Sequence, residues 1–167
     1  MTYNYRIRQQ APGDAAAVSQ LHEEAFGPGR FARAAYRVRE TSKGPAVALT
    51  SWDGDELVGA IQLTAITVGG KGGAMLLGPL AVAPAYKGRS AGLRLMLEGL
   101  DDARAQGVRL VVLVGDLPYS RRAGFAQVPA GQIALPGPAD PSRVLYLELE
   151  PGAMVDYAGT VAADNGA

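Results

Sequence analysis

A proline stands inside the most apolar strand that the sequence predicts, and it limits how a sheet can form around that strand. Residues 74–83 read AMLLGPLAVA, with no charged side chain, which indicates a strand buried on both faces. Pro79 has no backbone N–H, so an interior strand loses a ladder hydrogen bond at that position. Gly78-Pro79 therefore predicts a bulge, or the point at which pairing with a neighbouring strand stops.

The stretch that follows, PAYKGRSAGLRLM at residues 84–96, leads from this strand into an amphipathic helix predicted from about Ser90 to Gln106. The first amides of a helix have no partner within it and lie at the positive end of its dipole, so they suit an anion. Lys87 and Arg89 add full positive charges. The glycine spacing excludes a P-loop and a dinucleotide fingerprint. Taken alone, the stretch is also compatible with an ordinary strand-to-helix turn.

The remaining pattern predicts the element order β-α-α-β-β-β-α-β-α-β, with a further strand at the end. The other predicted strands are Tyr3–Arg8, Ala46–Trp52, Glu56–Val68, Arg109–Val114 and Arg143–Glu150. One helix begins at Asp14 and ends at Gly27-Pro28-Gly29, a second runs from about Arg30 to Glu40, and Gly69–Gly73 is a five-residue turn. We expect one domain over residues 1–152, and a tail over 153–167 that either frays or adds an edge strand.

Composition excludes several classes of function. The 167 residues contain no cysteine and one histidine, His22, and the formal net charge is zero. A general nucleic-acid binder needs a basic surplus, and thiolate chemistry, cysteine-bound zinc or a multi-histidine metal site needs ligands that are missing here. We therefore expect no metal site. The polar start MTYNYRIRQQ has no signal core and no segment has the length of a membrane span, which favours a cytoplasmic protein without membrane or nucleic-acid partners.

Two motifs in order carry a family resemblance. LGPLAVAPAYKGRSAG, followed by VLVGDLPYSRRAGF, resembles the GCN5-related N-acetyltransferases (GNAT), above all the bacterial branch with GPLAV and GDxxYYxRxGF segments. The resemblance covers Arg6 to about Glu150. It implies an α/β (α+β) GNAT fold: a central mixed, mostly antiparallel twisted sheet of six to seven strands, about four helices, and a splay between the fourth and fifth strands. A monomer or a homodimer fits this family.

The resemblance also implies acetyl-CoA as cofactor and assigns its binding residues. The backbone of the strand before the loop would bind the pantetheine arm, and the loop amides would wrap the pyrophosphate. The strand residues are Leu80, Ala81 and Val82, and the loop residues are Lys87, Gly88, Arg89, Ser90, Ala91 and Gly92.

The loop departs from the family pattern [QR]-x-x-G-x-[GA] at two positions. Lys87 replaces glutamine or arginine, and Ser90 replaces the central glycine. As an N-cap, Ser90 would favour the start of the helix. If the position requires a positive φ, serine costs on the order of 1 kcal/mol instead.

A second departure concerns the tyrosine that in this family often protonates the leaving thiolate. Counting back five residues from Phe125 gives Ser120, and Tyr119 lies one position earlier. Three alternatives follow: Tyr119 is the general acid, Ser120 relays a proton through water, or solvent supplies the proton. For the general base, the candidates are His22, Glu23 and Glu24 on the first helix, and Asp116.

The resemblance implies an N-acetyltransferase that moves an acetyl group from acetyl-CoA to a primary amine of a small-molecule or peptide acceptor. The amine would attack the thioester directly, and a backbone amide near Leu80–Val82 would hold the oxyanion. The four arginines between Arg30 and Arg39 either face solvent or line a pocket for an acidic acceptor. The alternative function is a non-catalytic acyl-CoA-binding or regulatory module on the same fold.

Overall fold

The computed structural model describes residues 5–26 and 34–166. Within these ranges the chain forms four α-helices and nine strands. The helices are α1 (Ala15–Phe26), α2 (Ala34–Thr41), α3 (Ala91–Ala105) and α4 (Leu117–Ser120). The strands are β1 (Arg6–Gln9), β2 (Val47–Asp53), β3 (Glu56–Val68), β4 (Lys71–Val82), β5 (Leu110–Val114), β6 (Ala126–Gln127), β7 (Ile133–Ala134), β8 (Val144–Glu148) and β9 (Gly159–Ala163).

All the strands join one mixed, open sheet with the spatial order β1-β2-β3-β4-β5-β8-β6. Neighbours on this path are antiparallel, except for β4 and β5, which are parallel because α3 connects them. β9 pairs antiparallel with the end of β3 and parallel with β7. The predicted fold class is confirmed; the sheet exceeds the predicted six to seven strands because it also contains β9 and two-residue strands.

β4 and β5 separate part of the way along the sheet. Residues 74–77 of β4 pair with residues 110–113 of β5, and β5 ends at Val114. β4 continues to Val82 and stays paired with β3 to that residue. The result is a slot between β4 and β5, at the place where the splay was predicted.

The Gly78-Pro79 pair lies where this separation begins. Leu77 is opposite Leu63 and Leu80 is opposite Ile61, so two residues of β4 face a single residue of β3. This is a β-bulge, as the proline predicted, and pairing with β5 ends at the same point. The bulge and the end of pairing with β5, which were predicted as alternatives, therefore occur at the same point.

Helices cover both faces of the sheet around the slot. α3 packs through Leu95 and Met96 on the face that carries Ile61 and Leu77, in one buried cluster. On the opposite face, α1 packs its Val18 and Leu21 against alanines of β3 and β4, and α2 contributes Val38 to a separate cluster. The helices hold β4 from both sides where it has no β5 partner.

The structure corrects one predicted turn. The five-residue glycine turn is wrong: Gly69 and Gly70 alone form the turn, with φ of 59° and 87°, and residues 71–73 belong to β4. β3 and β4 pair as far as Val68 opposite Lys71, and β9 pairs with the same end of β3. The predicted helix end at Gly27-Pro28-Gly29 and the segment 30–33 lie outside the described residues.

The segment after Pro151 is joined to the sheet by side chains as well as by β9. The hydroxyl of Tyr157 donates to the carbonyl of Gly72 at 2.7 Å. Arg109 forms ion pairs with Glu150 and with Asp156, the latter at 2.7 Å. These contacts fix the chain between β8 and β9 against the β3–β4 hairpin.

Alanine substitutions at the two turn glycines test this docking. A Cβ on Gly69 would overlap the carbonyl oxygen of Ala158, whereas a Cβ on Gly70 has no atom within 4 Å. Both positions carry the cost of a positive φ, about 1–2 kcal/mol. We expect Gly70→Ala to lower the free energy of unfolding by that amount and Gly69→Ala by roughly 3 kcal/mol or more, measured by urea denaturation. Equal losses would mean that the tail does not pack on the turn.

Candidate active site

Two cavities meet at the slot between β4 and β5. The larger has a volume of about 890 Å³ and lies between the slot, α1 and α2. The smaller has a volume of about 400 Å³ and lies beside the loop that precedes α3. Phe26, Leu80 and Tyr119 line both cavities, so the two cavities adjoin at these three residues.

The backbone of β4 presents unpaired groups to the slot. The N–H of Ala83 donates to the carbonyl of Val58 at 2.7 Å, and in an antiparallel ladder hydrogen-bonded pairs alternate with non-hydrogen-bonded pairs. Ala81 is therefore bonded to β3, and the N–H and C=O groups of Leu80 and Val82 point away from β3. Leu80 and Val82 line the smaller cavity with these groups available, and Ala81 lines it with its backbone already paired.

The predicted loop surrounds the smaller cavity with one exception. The loop residues that line it are Lys87, Gly88, Ser90, Ala91 and Gly92. Arg89 does not line it; its guanidinium lies over the ring of Tyr86, 5.3 Å from the centroid. The structure therefore gathers the predicted residues at one end of the slot, with Arg89 at its margin.

The start of α3 supplies hydrogen-bond donors at this cavity. The first intrahelical bond runs from the N–H of Arg94 to the carbonyl of Ser90 at 3.0 Å. The amides of Ala91, Gly92 and Leu93 precede it, so they have no acceptor within the helix. With the positive end of the helix dipole and the exposed Lys87, these donors suit a phosphate group.

Ser90 adopts the backbone conformation that the family pattern reserves for glycine. Its φ is 63° and its ψ is 8°, in the left-handed region. Ser90 occupies the N-cap position, but its hydroxyl makes no capping hydrogen bond. A side chain caps a helix from an extended backbone, and a left-handed residue does not aim its oxygen at the free amides. Of the two alternatives for Ser90, the structure shows the positive φ and not the capping hydrogen bond.

Tyr86 connects the loop to the β2–β3 hairpin. Its hydroxyl lies 2.8 Å from a carboxylate oxygen of Glu56 and 2.9 Å from one of Asp53. Hydrogen bonds to Glu56 and then Asp53 hold the pKa of the Tyr86 phenol well above its usual value. The ring is buried and makes an edge-to-face contact with Tyr5. Tyr86 thus holds the loop at a fixed distance from the sheet and supports Arg89 on its face.

Tyr119 lies at the junction of the cavities. α4 places its half-buried ring so that a Cβ built on Gly92 would overlap the phenol oxygen. Burial raises the pKa of Tyr119, and the charge of Arg122, 6.0 Å from the ring centroid, opposes this in part. The phenol is therefore protonated at neutral pH and is able to donate.

Ser120 is more deeply buried than Tyr119 and lines only one of the two cavities. Its exposed fraction is 2%, and it lines the larger cavity but not the smaller. Its N–H donates to the carbonyl of Asp116 at 2.9 Å, and its own carbonyl accepts from Phe125 at 3.3 Å. These backbone bonds close the short α4 turn and fix the direction of Tyr119.

The larger cavity contains some of the predicted base candidates. His22 and Asp116 line it, whereas Glu23 and Glu24 are exposed and do not. The ring of His22 is half-buried and packs against Phe26 with the centroids 5.8 Å apart.

Charged residues of α2 and of the segment 140–143 also line the larger cavity. Arg39 lines it, Arg37 of the same helix is exposed, and Arg30 and Arg33 lie outside the described residues. Further lining residues that sequence reasoning missed are Tyr36, Glu40, Gln62, Asp140 and Arg143. No motif marks them, because only the fold brings their segments together.

Two kinds of feature are missing from the described part of the chain. Among residues 5–26 and 34–166, no three histidine, aspartate or glutamate side chains are grouped to hold a metal ion. No helix in these ranges combines the length and the apolar character needed to cross a membrane.

Comparison with known proteins identifies the relatives of the chain. The profile of the acetyltransferase (GNAT) family matches residues 15–126. The chain is 33% identical over 129 residues to the uncharacterized N-acetyltransferase YjhQ of Escherichia coli K12, covering 75% of this chain and 71% of YjhQ.

Two solved structures are similar along most of the chain. A GNAT family N-acetyltransferase from Escherichia coli, YhbS, in complex with CoA has a TM-score of 0.83 at 25% identity, covering 95% of this chain and 89% of that one. A GNAT family acetyltransferase from Brucella melitensis in complex with acetyl-CoA has a TM-score of 0.74 at 30% identity, with 95% of each chain covered.

Substitutions at Ser90 test the strain in the loop. Glycine adopts a φ of 63° without a steric cost, and the serine hydroxyl makes no capping bond that would be lost. We expect Ser90→Gly to raise the free energy of unfolding by about 1 kcal/mol in urea denaturation. Ser90→Ala keeps the strained Cβ and should stay within about 0.5 kcal/mol of the parent protein. A loss of stability in both variants would contradict this interpretation.

Proposed function

Because the chain belongs to the GNAT acetyltransferase family, we propose that it transfers an acetyl group from acetyl-CoA to a primary amine of an acceptor. The membership predicted from GPLAV and GDLPYSRRAGF is confirmed. The observation that carries the proposal is the junction of the two cavities, where unpaired backbone of β4 and the phenol of Tyr119 come together. The smaller cavity is assigned to the coenzyme and the larger to the acceptor.

The residues of the smaller cavity fit a coenzyme with an amide-bearing arm and phosphates. The free N–H and C=O groups of Leu80 and Val82 suit amides that lie along β4 in the manner of an added strand. The amides at the start of α3 and the ammonium of Lys87 suit the pyrophosphate. Gly92 leaves space beside Tyr119 that a Cβ would fill. The CoA and acetyl-CoA in the two similar structures support this assignment.

The chemistry divides between the coenzyme and the protein. Acetyl-CoA supplies an acyl carbon that gains a bond to the acceptor nitrogen as its bond to sulfur breaks, while the nitrogen loses one proton and the sulfur gains one. A free N–H of Leu80 or Val82 donates to the acyl oxygen and stabilises the charge that develops there. Tyr119 donates the proton that the sulfur takes up. Its raised pKa keeps the phenol protonated until that step.

Tyr119 is favoured over Ser120 as the proton donor for two reasons. Tyr119 lines both cavities and is therefore adjacent to the point where the acetyl group passes from the coenzyme sulfur to the acceptor nitrogen. Ser120 lines only the larger cavity, which is assigned to the acceptor. A serine hydroxyl is also a far weaker acid than a phenol, whose ordinary pKa is about 10. For the amine proton, His22 and Asp116 border the acceptor cavity and can receive it directly or through water.

Coenzyme binding is tested by thermal unfolding with and without acetyl-CoA. A ligand at 100 times its Kd stabilises by about 2.7 kcal/mol, so we expect the Tm to rise by roughly 5–10 °C. Gly92→Glu should abolish the rise, because its side chain enters the space beside Tyr119 and repels phosphate. Leu97→Glu adds the same charge on an exposed face of α3 and should keep the rise. No rise in the parent protein at millimolar acetyl-CoA would overturn the proposal.

Proton donation is tested by kinetics of Tyr119→Phe, once an acceptor has been found by thiol release from acetyl-CoA. We expect kcat to fall by about 10²–10⁴ with the Tm shift retained, since phenylalanine keeps the ring and removes the proton. Activity should decline only as the pH rises through the pKa of Tyr119, which burial holds above that of a free phenol, and this decline should be absent in the variant. Ser120→Ala should remain active. Coenzyme binding without thiol release from any amine would support a binding module instead.

A further inference from the structure

One arginine of α2 lies beside the bulge where the slot opens. Arg39 is half-buried and lines the acceptor cavity. Its Nη1 atom is 3.6 Å from the position that a Cβ on Gly78 would occupy, so the guanidinium lies beside the bulge. Gly78, Pro79 and Leu80 line the same cavity. A cation thus lies near the place assigned above to acyl transfer.

The spacing along β4 relates this cation to the reacting nitrogen. Two residues of a strand span about 6–7 Å, and the bulge shortens the path between Gly78 and Leu80. An acceptor amine that meets the acyl group beside Leu80 therefore lies only a few bond lengths from the guanidinium of Arg39. A carboxylate on the carbon that bears the amine, or one to two carbons further along, fits that distance.

The charges around the cavity agree with an acceptor that carries both signs. Arg39 and Arg143 line it together with the carboxylates of Asp116, Glu40 and Asp140. The Asp140 carboxylate already accepts from the N–H and the hydroxyl of Ser142, at 2.9 and 2.8 Å. A monoamine would use only the carboxylates, whereas an amino acid uses carboxylates for its ammonium group on entry and an arginine for its carboxylate.

We propose, on the basis of the acetyltransferase function proposed above, that the acceptor is a free amino-carboxylate whose carboxylate binds Arg39 while its amine faces the slot at Leu80. The planar guanidinium offers two parallel N–H donors that match the two oxygens of a carboxylate. The proposal distinguishes a free amino acid from a peptide N-terminus or a lysine side chain in a protein, because the α-carbon next to a peptide N-terminal amine carries an amide instead of a carboxylate.

The experiment measures thiol release from acetyl-CoA with matched pairs of acceptors. One set contains the free L-amino acids and short ω-amino acids such as β-alanine; the other contains the corresponding carboxamides. We expect at least one free acid to react with a kcat/KM ten or more times that of its amide. Arg39→Gln should lower kcat/KM for the acid by about 10- to 100-fold and leave the amide unchanged, and Arg39→Lys should recover part of the loss.

Two controls separate this role from a structural one. Arg37→Gln removes the same charge from an exposed position of α2 and should leave both substrates unaffected. The acetyl-CoA-dependent rise in Tm should be the same in Arg39→Gln as in the parent protein, which shows that the variant is folded and binds coenzyme. Calorimetric titration of the preferred acid into the CoA-bound protein should show binding that Arg39→Gln weakens by a similar factor.

The outcomes distinguish this inference from the function on which it rests. If amides or peptides react as well as the free acids, or if Arg39→Gln keeps the preference for the acid, the inference is overturned and the acetyltransferase function stands. If the Tm rises with acetyl-CoA but neither set releases thiol, the inference is also overturned. If acetyl-CoA produces no rise in Tm, the proposed function itself fails.

Discussion

The separation of β4 from β5 is the constraint on which the other features of the candidate site depend. A strand that loses one neighbour leaves N–H and C=O groups without partners, and such groups are stable only where water or a ligand reaches them. β4 keeps its extended shape past Leu77 because β3 remains paired along it and helices pack on both of its faces. The free edge is therefore rigid before anything binds, which lowers the ordering cost of binding.

Rigidity at the other end of the slot comes from the β2–β3 hairpin. Tyr86 is buried, and its hydroxyl is held between carboxylates of Asp53 and Glu56. A loop that contains two residues with positive φ, Gly88 and Ser90, would otherwise sample many conformations. Anchoring the residue just before it restricts the loop to one arrangement, in which the amides at the start of α3 line the cavity. The strained Ser90 is tolerated because the anchor and the helix hold the backbone on both sides of it.

Much of this arrangement was predictable from local chemistry. The missing N–H of Pro79 was sufficient to place the bulge, and the motifs around Gly92 and Tyr119 identified the family and the residues that meet at the slot. Local chemistry failed where long-range pairing decides the outcome. The glycine turn is shorter than predicted because β3 and β4 pair as far as Val68 and Lys71, and β9, almost ninety residues away along the chain, pairs with the same end of β3. The capping alternative for Ser90 does not occur because backbone conformation there follows from the loop and not from the side chain.

The cavity assigned to the acceptor shows even more clearly that local sequence chemistry does not predict which distant segments come together. Arg39 lies on α2 and Arg143 lies just before β8. One of the two alternatives for the arginines up to Arg39 placed them in an acceptor pocket, but nothing in the sequence around Arg143 indicates that it lines the same cavity. Most of the residues that line the cavity assigned to the coenzyme come from one continuous strand–loop–helix segment, residues 80–93, so their chemistry can be read in chain order. The cavity assigned to the acceptor is lined by separate segments of the chain, so only the folded structure shows which charged residues line it. With this division, substitutions in the cavity assigned to the acceptor can change the acceptor while the strand–loop–helix segment keeps its geometry.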